Sequence, residues 1–406
     1  MKNKFLCSLM TVCLCFSILG CSSSATSTVT DTVNTSTEAT TEATSTENIS
    51  SESTTLEDHS ISENSDLPDG FTHTIIDHAG NEVAIPEVMD RIVIISTPLP
   101  SAYAMFAGSA EKLVGMIPSS YAAASNSVLA EIMPEITNAS TAFMNGSDLN
   151  IEELLNLDPD IVFCTETHYE MITEAGIPAV VVSSSNWGSN AIDTYAAWVT
   201  LFGQVFQDED RATDIVEYGN QVYDMIQERL ETAGDSLVKP NILFYFNYSD
   251  GTLYTSGGEH FGEWWANAVG AVNAATGTMG KSVEINMEQV YEWNPDMVFI
   301  TNFVPFLEED ILNNTIEDQD WSTVKAVQEE QVYKIPCGVY RWFPPSADTP
   351  LMLIWMAKTV HPDLFEDIDM VQETKNYYKT YYNIELTDEQ VDSIFNPSPD
   401  ASGKSK

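Results

Sequence analysis

The hydrophobic pattern of this 406-residue chain falls into three regimes. Residues 5–19 form a mostly apolar run behind Lys2 and Lys4. Residues 22–66 are rich in Ser, Thr and Glu, with few large apolar side chains and no aromatic residue, Lys or Arg. From residue 67 onward, short apolar runs alternate with stretches of helical spacing. Runs such as Ile92-Val93-Ile94-Ile95, Ile161-Val162-Phe163-Cys164 and Met297-Val298-Phe299-Ile300 are apolar at every position. Such runs fit strands buried on both faces. Their alternation with helices predicts an α/β protein with parallel sheets.

One pattern occurs twice. Residues 150–165 read NIEELLNLDPDIVFCT and residues 286–301 read NMEQVYEWNPDMVFIT, with seven of sixteen positions identical in an ungapped pairing. In each copy a short helical pattern runs into Asn/Asp-Pro-Asp, where proline stops the helix, and a core strand follows. Further strands flank the copies, at 92–95, 113–116 and 177–182 for the first and at 241–246 and 332–335 for the second. A single repeat offset by 136 residues predicts two similar lobes rather than a solenoid. Between them lie two helical stretches, 190–205 and 208–233. In the second, Ile215, Tyr218, Val222, Met225, Ile226 and Leu230 recur mostly at intervals of three and four, with Asp208 placed to cap its start and Gly234 its end. At 1.5 Å per residue this helix reaches about 39 Å, enough for a rigid spine along both lobes. The alternative is a helix packed on one lobe only.

The amino terminus, MKNKFLCSLMTVCLCFSILGC, has the layout of a secretory signal peptide. Its apolar core is too short for a comfortable bilayer span. Ser17-Ile18-Leu19-Gly20-Cys21 resembles the bacterial lipobox, which implies cleavage before Cys21 and lipidation of that residue. Two acyl chains hold far better than one. Residues 22–66 cannot bury enough surface to offset the entropy of ordering, so a disordered tether is expected there. The formal net charge of −45 argues against nucleic acid and acidic lipid as partners. Beyond the signal peptide and Cys21 only Cys164 and Cys337 remain, which read as buried free thiols or as one bridge. No residues are spaced for structural zinc, and neither H-E-x-x-H nor G-x-S-x-G is present, so an enzyme is not expected.

The segment Asp77-His78-Ala79-Gly80-Asn81-Glu82-Val83, with Pro86 and Arg91-Ile92-Val93, then Leu113-Val114-Gly115 and the two Pro-Asp strands, occurs in an order that resembles one family. It is similar to the substrate-binding proteins of bacterial ABC importers for ferric siderophores, haem and cobalamin. The likeness spans residues 71–382. It implies a class III substrate-binding fold, two Rossmann-like α/β lobes with parallel sheets joined by one long spine helix, and a ligand in the cleft. It also implies a permease and its ATPase as partners and a monomeric receptor on the outer face of the cell membrane. The lipid anchor suits a bacterium without an outer membrane. The expected organisation is a signal peptide (1–20), lipidated Cys21 and tether (21–66), a first lobe (67–189), linking helices (190–234), a second lobe (235–396) and a disordered tail (397–406). Many members dock the permease through one exposed Glu per lobe. Here Ala102 stands at the first such position, and at the second Trp264 stands beside Glu263, the candidate docking residue.

Ligands of open α/β sheets lie beyond the C-terminal ends of the strands. Those ends carry His168, Tyr169 and Trp187 in the first lobe and Tyr245, Tyr248, Phe303, Tyr340, Arg341 and Trp342 in the second. Aromatic rings at loop tips pack or bind something. Arg341 can give a bidentate bond to a carboxylate or an anionic chelate. Residues 254–260, YTSGGEH, form either a helix-start anion site or a plain turn. Only His168 and His260 fall near the cleft, which disfavours a bare metal ion and fits a metal inside an organic chelator. His168 or Tyr169 can complete such a chelate or serve a haem. The expected ligand is thus a ferric siderophore or other metal chelate, or a tetrapyrrole (haem, cobalamin), with no metal bound directly and no enzymatic cofactor. Two alternatives stand: a sensor or surface protein on the same fold without transport, and a cell-surface hydrolase.

Overall fold

The computed structural model of the chain describes residues 67–404. The expected signal peptide (1–20), lipidation at Cys21 and tether (21–66) all fall outside the described residues. The first lobe opens with an antiparallel hairpin, Phe71–Ile76 paired with Glu82–Pro86. Asp77 fastens its turn: the carboxylate accepts from the amides of Ala79 and Asn81 and, across the lobe, from Val181 at 2.9 Å. A parallel sheet follows in the spatial order Leu113–Met116, Ile92–Ile94, Ile161–Cys164, Ala179–Val181. Its two central strands are buried at every residue, which is why their sequences are continuously apolar.

The second lobe has the order Ser282–Ile285, Thr252–Ser256, Asn241–Ser249, Met297–Ile300, Val332–Lys334. Its last three strands are parallel, while the first two run antiparallel, so this sheet is mixed where a parallel one was expected. The cause is local. Asp250 and Gly251 both take positive φ, 51° and 80°, and turn Asn241–Ser249 straight back as a tight hairpin.

The repeat is structural as well as sequential. Each copy is a helix (Ile151–Asn156, Met287–Trp293) leading into a core strand (Ile161–Cys164, Met297–Ile300). Asn150 and Asn286 cap the helices through their side-chain oxygens. The repeated Pro-Asp has a second use. Asp160 accepts from the amides of Asp90 and Arg91 at 2.8 and 2.9 Å, and Asp296 accepts from Asn241 at 2.7 Å. Each carboxylate thus ties down the start of the neighbouring central strand.

The linking helices are Ala191–Phe206 and the spine, Glu209–Ala233. The spine serves both lobes. Arg211 donates to the carbonyls of Met105 and Phe106 in the first lobe and of Tyr381 in the C-terminal part. Near its other end Gln227 donates to Ala268 and Arg229 to Leu364 and Asp367. One hydrophobic core runs without a break from Ile92 and Phe163 through Ile215 and Ile226 to Trp265 and Leu351. No helix among the described residues is long and apolar enough to cross a membrane. Cys164 and Cys337 are free and buried, and burial pushes both thiols up to about 12.

The end of the chain departs from expectation. Residues 397–406 were expected to be disordered, yet Pro399–Ser402 forms a 3-10 turn with Ala401 and Ser402 buried. The expectation followed from small and polar residues. The order comes from contacts with distant parts of the fold that composition does not show.

Candidate functional site

The last parallel strand, Val332–Lys334, delivers the chain to a loop that carries the candidate binding residues. Cys337 and Arg341 pair as a single antiparallel bridge and close that loop on itself. Beneath it lies Asp348, fully buried at the start of the helix Thr349–Val360. Its carboxylate accepts from Val339 N at 2.9 Å, Trp342 Nε1 at 2.9 Å, Tyr378 Oη at 3.0 Å and Tyr382 Oη at 2.9 Å. Burial pushes the Asp348 carboxyl up despite those donors, and the same burial and the nearby carboxylate raise Tyr378 and Tyr382. Four converging donors around one acceptor hold the loop rigidly.

Arg341 is 6% exposed. Its guanidinium lies 4.6 Å from the Phe303 ring centroid and 5.7 Å from that of Tyr340. Nε and Nη2 donate to Ala401 O at 3.1 and 3.0 Å, and Nη2 also to Ser402 O at 3.3 Å. Among the described residues no carboxylate pairs with it. Burial pushes the Tyr340 hydroxyl up, against the pull of Arg341 and of a hydrogen bond with Thr97. Thr97 belongs to the first lobe, as does Ser127, whose hydroxyl donates to Val339 O at 3.4 Å. The Ser189 hydroxyl bridges to Glu259 O at 3.1 Å. Arg341 therefore stands where the two lobes meet.

The other sequence-selected residues divide. Phe303 and Tyr340 gather at Arg341. Tyr248 packs its ring on Phe306 at 5.1 Å and lends its carbonyl to Lys404 Nζ at 2.9 Å. Trp187 lies edge-on to His78 at 4.9 Å. His168 is engaged with Ser147 O at 3.1 Å and the Thr165 hydroxyl, and Tyr169 packs partly against the first-lobe core. Trp342 and Tyr245 are core residues instead. Trp342 is fully buried on Asp348, while Tyr245 stacks on Trp321 at 5.9 Å with its hydroxyl on Gln319. Their polar tips found partners inside, which frees the rings to be buried. Glu263 accepts from Asn267, Asn273 and Thr276, and Ala102 is fully buried.

The stretch 254–260 forms a strand end and a turn. Gly257 donates to Lys281 O, and Ser256 Oγ accepts from Gly262 N, filling the helix start where an anion was considered. His73, His168 and His361 each engage a backbone carbonyl, and Ser183 N donates to His78 Nδ1. No group of three or more metal-ligating side chains occurs among the described residues. Sequence reasoning gave Asp348 no role beyond the start of a helix and passed over Lys404. Asp348 had one signal: it precedes an apolar helical run, where a capping acid is common.

Residues 98–337 match the family described as periplasmic binding protein. The chain belongs to that family. Its members are extracytoplasmic binding proteins that serve ABC permeases and take small-molecule ligands. Over 330 residues the chain is 25% identical to the molybdate-binding protein MolA of Haemophilus influenzae, covering 76% of this chain and 90% of that one. It is 22% identical over 194 residues to the iron(3+)-hydroxamate-binding protein YxeB of Bacillus subtilis, covering 46% of this chain and 59% of that one. A periplasmic solute-binding protein of Veillonella parvula superposes with a TM-score of 0.73 at 29% identity, covering 80% of this chain and 98% of the other. Arg341, Asp348 and Lys404 all follow the last residue of the family match.

Proposed function

We propose that this chain is the lipid-anchored receptor of an ABC importer for a compact anionic ligand, held one to one at Arg341. The chemical class is an oxyanion of the molybdate kind or an anionic metal chelate such as a ferric siderophore. The observation that carries the reading is the guanidinium of Arg341. It is buried between two aromatic rings at the lobe boundary, and its partners are neutral oxygens. A buried cation without an ionic partner is costly, and an anion at that place removes the cost. The partly exposed rings of Phe303, Trp187 and Tyr248 favour the chelate arm, and the likeness to a molybdate-binding protein favours the oxyanion arm.

Calorimetry and native mass spectrometry with molybdate, a ferric tris-catecholate, a ferric hydroxamate, haem and cobalamin test it. Molybdate or the catecholate is expected to bind one to one. Arg341→Ala is expected to weaken that binding about thirty-fold, the loss of ~2 kcal/mol from a charge-assisted contact. Binding of the hydroxamate or cobalamin alone, with Arg341→Ala indifferent, overturns the reading. A sensor without transport is a second reading, favoured by the buried Ala102 and the engaged Glu263. Uptake of the bound ligand by cells that carry the neighbouring permease and ATPase genes, and its loss on deletion of this chain, decides against the sensor.

A further inference from the structure

We propose that Lys404 is a second cationic contact of the Arg341 site, carried there by residues 396–404, so that the bound ligand bears at least two negative charges. This rests on the reading of Arg341 as an anion-binding residue.

The segment is built to bring Lys404 back toward Arg341. Ser398 Oγ accepts from Asp400 N and starts the turn Pro399–Ser402. Gly403 takes φ 68°, which reverses the chain, and Ser402 Oγ then accepts from Lys404 N at 3.0 Å. Arg341 grips this turn from within through the carbonyls of Ala401 and Ser402, three and two residues before Lys404. The ammonium group reaches Tyr248 O at 2.9 Å and Asn247 Oδ1, at the cleft end of the strand Asn241–Ser249. All these acceptors are neutral. Partial desolvation, and then the charge of Arg341, lower the ammonium pKa of this largely exposed side chain.

In a chain with 61 acidic and only 16 basic side chains, two bases carried by one loop and the segment it grips, neither in an ion pair with a carboxylate among the described residues, stand out. A dianion between them converts the repulsion into two attractions. A cavity of about 410 Å³ between the lobes has a mixed wall that includes Ser125, Ser127, Val128, Glu131, Cys337 and Ser398. Cys337 is the bridge partner of Arg341, and the Ser125 hydroxyl is buried without a partner.

The test titrates the full mature chain with sodium molybdate, and with a ferric tris-catecholate in a second arm. It compares Lys404→Gln, Lys404→Arg, Arg341→Ala and Lys239→Gln, an exposed lysine with the same charge change. Lys404→Gln is expected to weaken binding about ten-fold and to reduce its salt dependence. Lys404→Arg and Lys239→Gln are expected to bind as the unaltered chain does. If Arg341→Ala loses binding while Lys404→Gln keeps it, the Lys404 proposal falls and the Arg341 reading stands. Tighter binding by Lys404→Gln makes the segment a plug and also overturns the proposal. If no variant weakens binding, or neither probe binds, the Arg341 reading itself has failed.

Discussion

At the residue scale, the loop bearing Arg341 depends on a glycine and a fully buried aspartate packed against each other. A Cβ on Gly338 would sit 2.0 Å from Asp348 Oδ2, 2.6 Å from Tyr378 Oη and 2.8 Å from Trp342 Nε1. None of the three can retreat without giving up a buried hydrogen bond. Gly338→Ala is therefore expected to cost about 3 kcal/mol or more in urea unfolding, in the range where overpacking and a broken polar network combine. The variant that still folds should also lose ligand affinity, because the displaced Asp348 no longer holds Val339 and Trp342. A normal unfolding midpoint for Gly338→Ala would show that the loop rests on something other than Asp348. The residues that position Arg341 were hard to read from sequence for the same reason. Asp348 and its tyrosine donors, Tyr378 and Tyr382, are about thirty positions apart along the chain and converge only in the fold.

At the scale of elements, the duplicated helix-turn-strand unit was the most legible feature. Its period, its proline and its buried strand are all local signals. The function of the aspartate after the proline in each unit was not local. Asp160 and Asp296 reach across to amides at the start of another strand, so only pairing reveals them. Asp160→Ala and Asp296→Ala should each destabilise by ~1–2 kcal/mol, the cost of leaving strand-end amides without their acceptor. The double variant should show the sum, since the sites lie in different lobes and share no partner. Chemical denaturation of the three variants checks this, and strong non-additivity would contradict independent clamps. The mixed sheet of the second lobe was legible in principle: Asp250-Gly251 between strand-like runs is a strong hairpin signal.

At the scale of the whole molecule, the spine joins the two lobes through one core, and each lobe holds a half-buried histidine whose pKa is lowered. Burial lowers His78 and His260 from 6.5 to about 4. His78 accepts from Ser183 N, and protonation of its Nδ1 would break that bond. A group whose folded pKa lies below its unfolded one contributes stability in full above 6.5, and the contribution is lost as pH falls toward 4. The thermal midpoint should therefore drop between pH 6.5 and 4, with about 2 kcal/mol at most from each histidine. His78→Gln and His260→Gln should each flatten that profile, and a flat profile in the unaltered chain would refute the assignment. Sequence alone determined the class of fold, the duplication, the spine and the candidate Arg341, because periodicity, proline stops and charge scarcity act over short spans. Tertiary structure decided that Trp342 and Tyr245 belong to the core, that Asp348 holds the loop, and that Lys404 comes back to Arg341. Those outcomes depend on which distant groups meet, and burial sets the energies of meeting only once the lobes have packed.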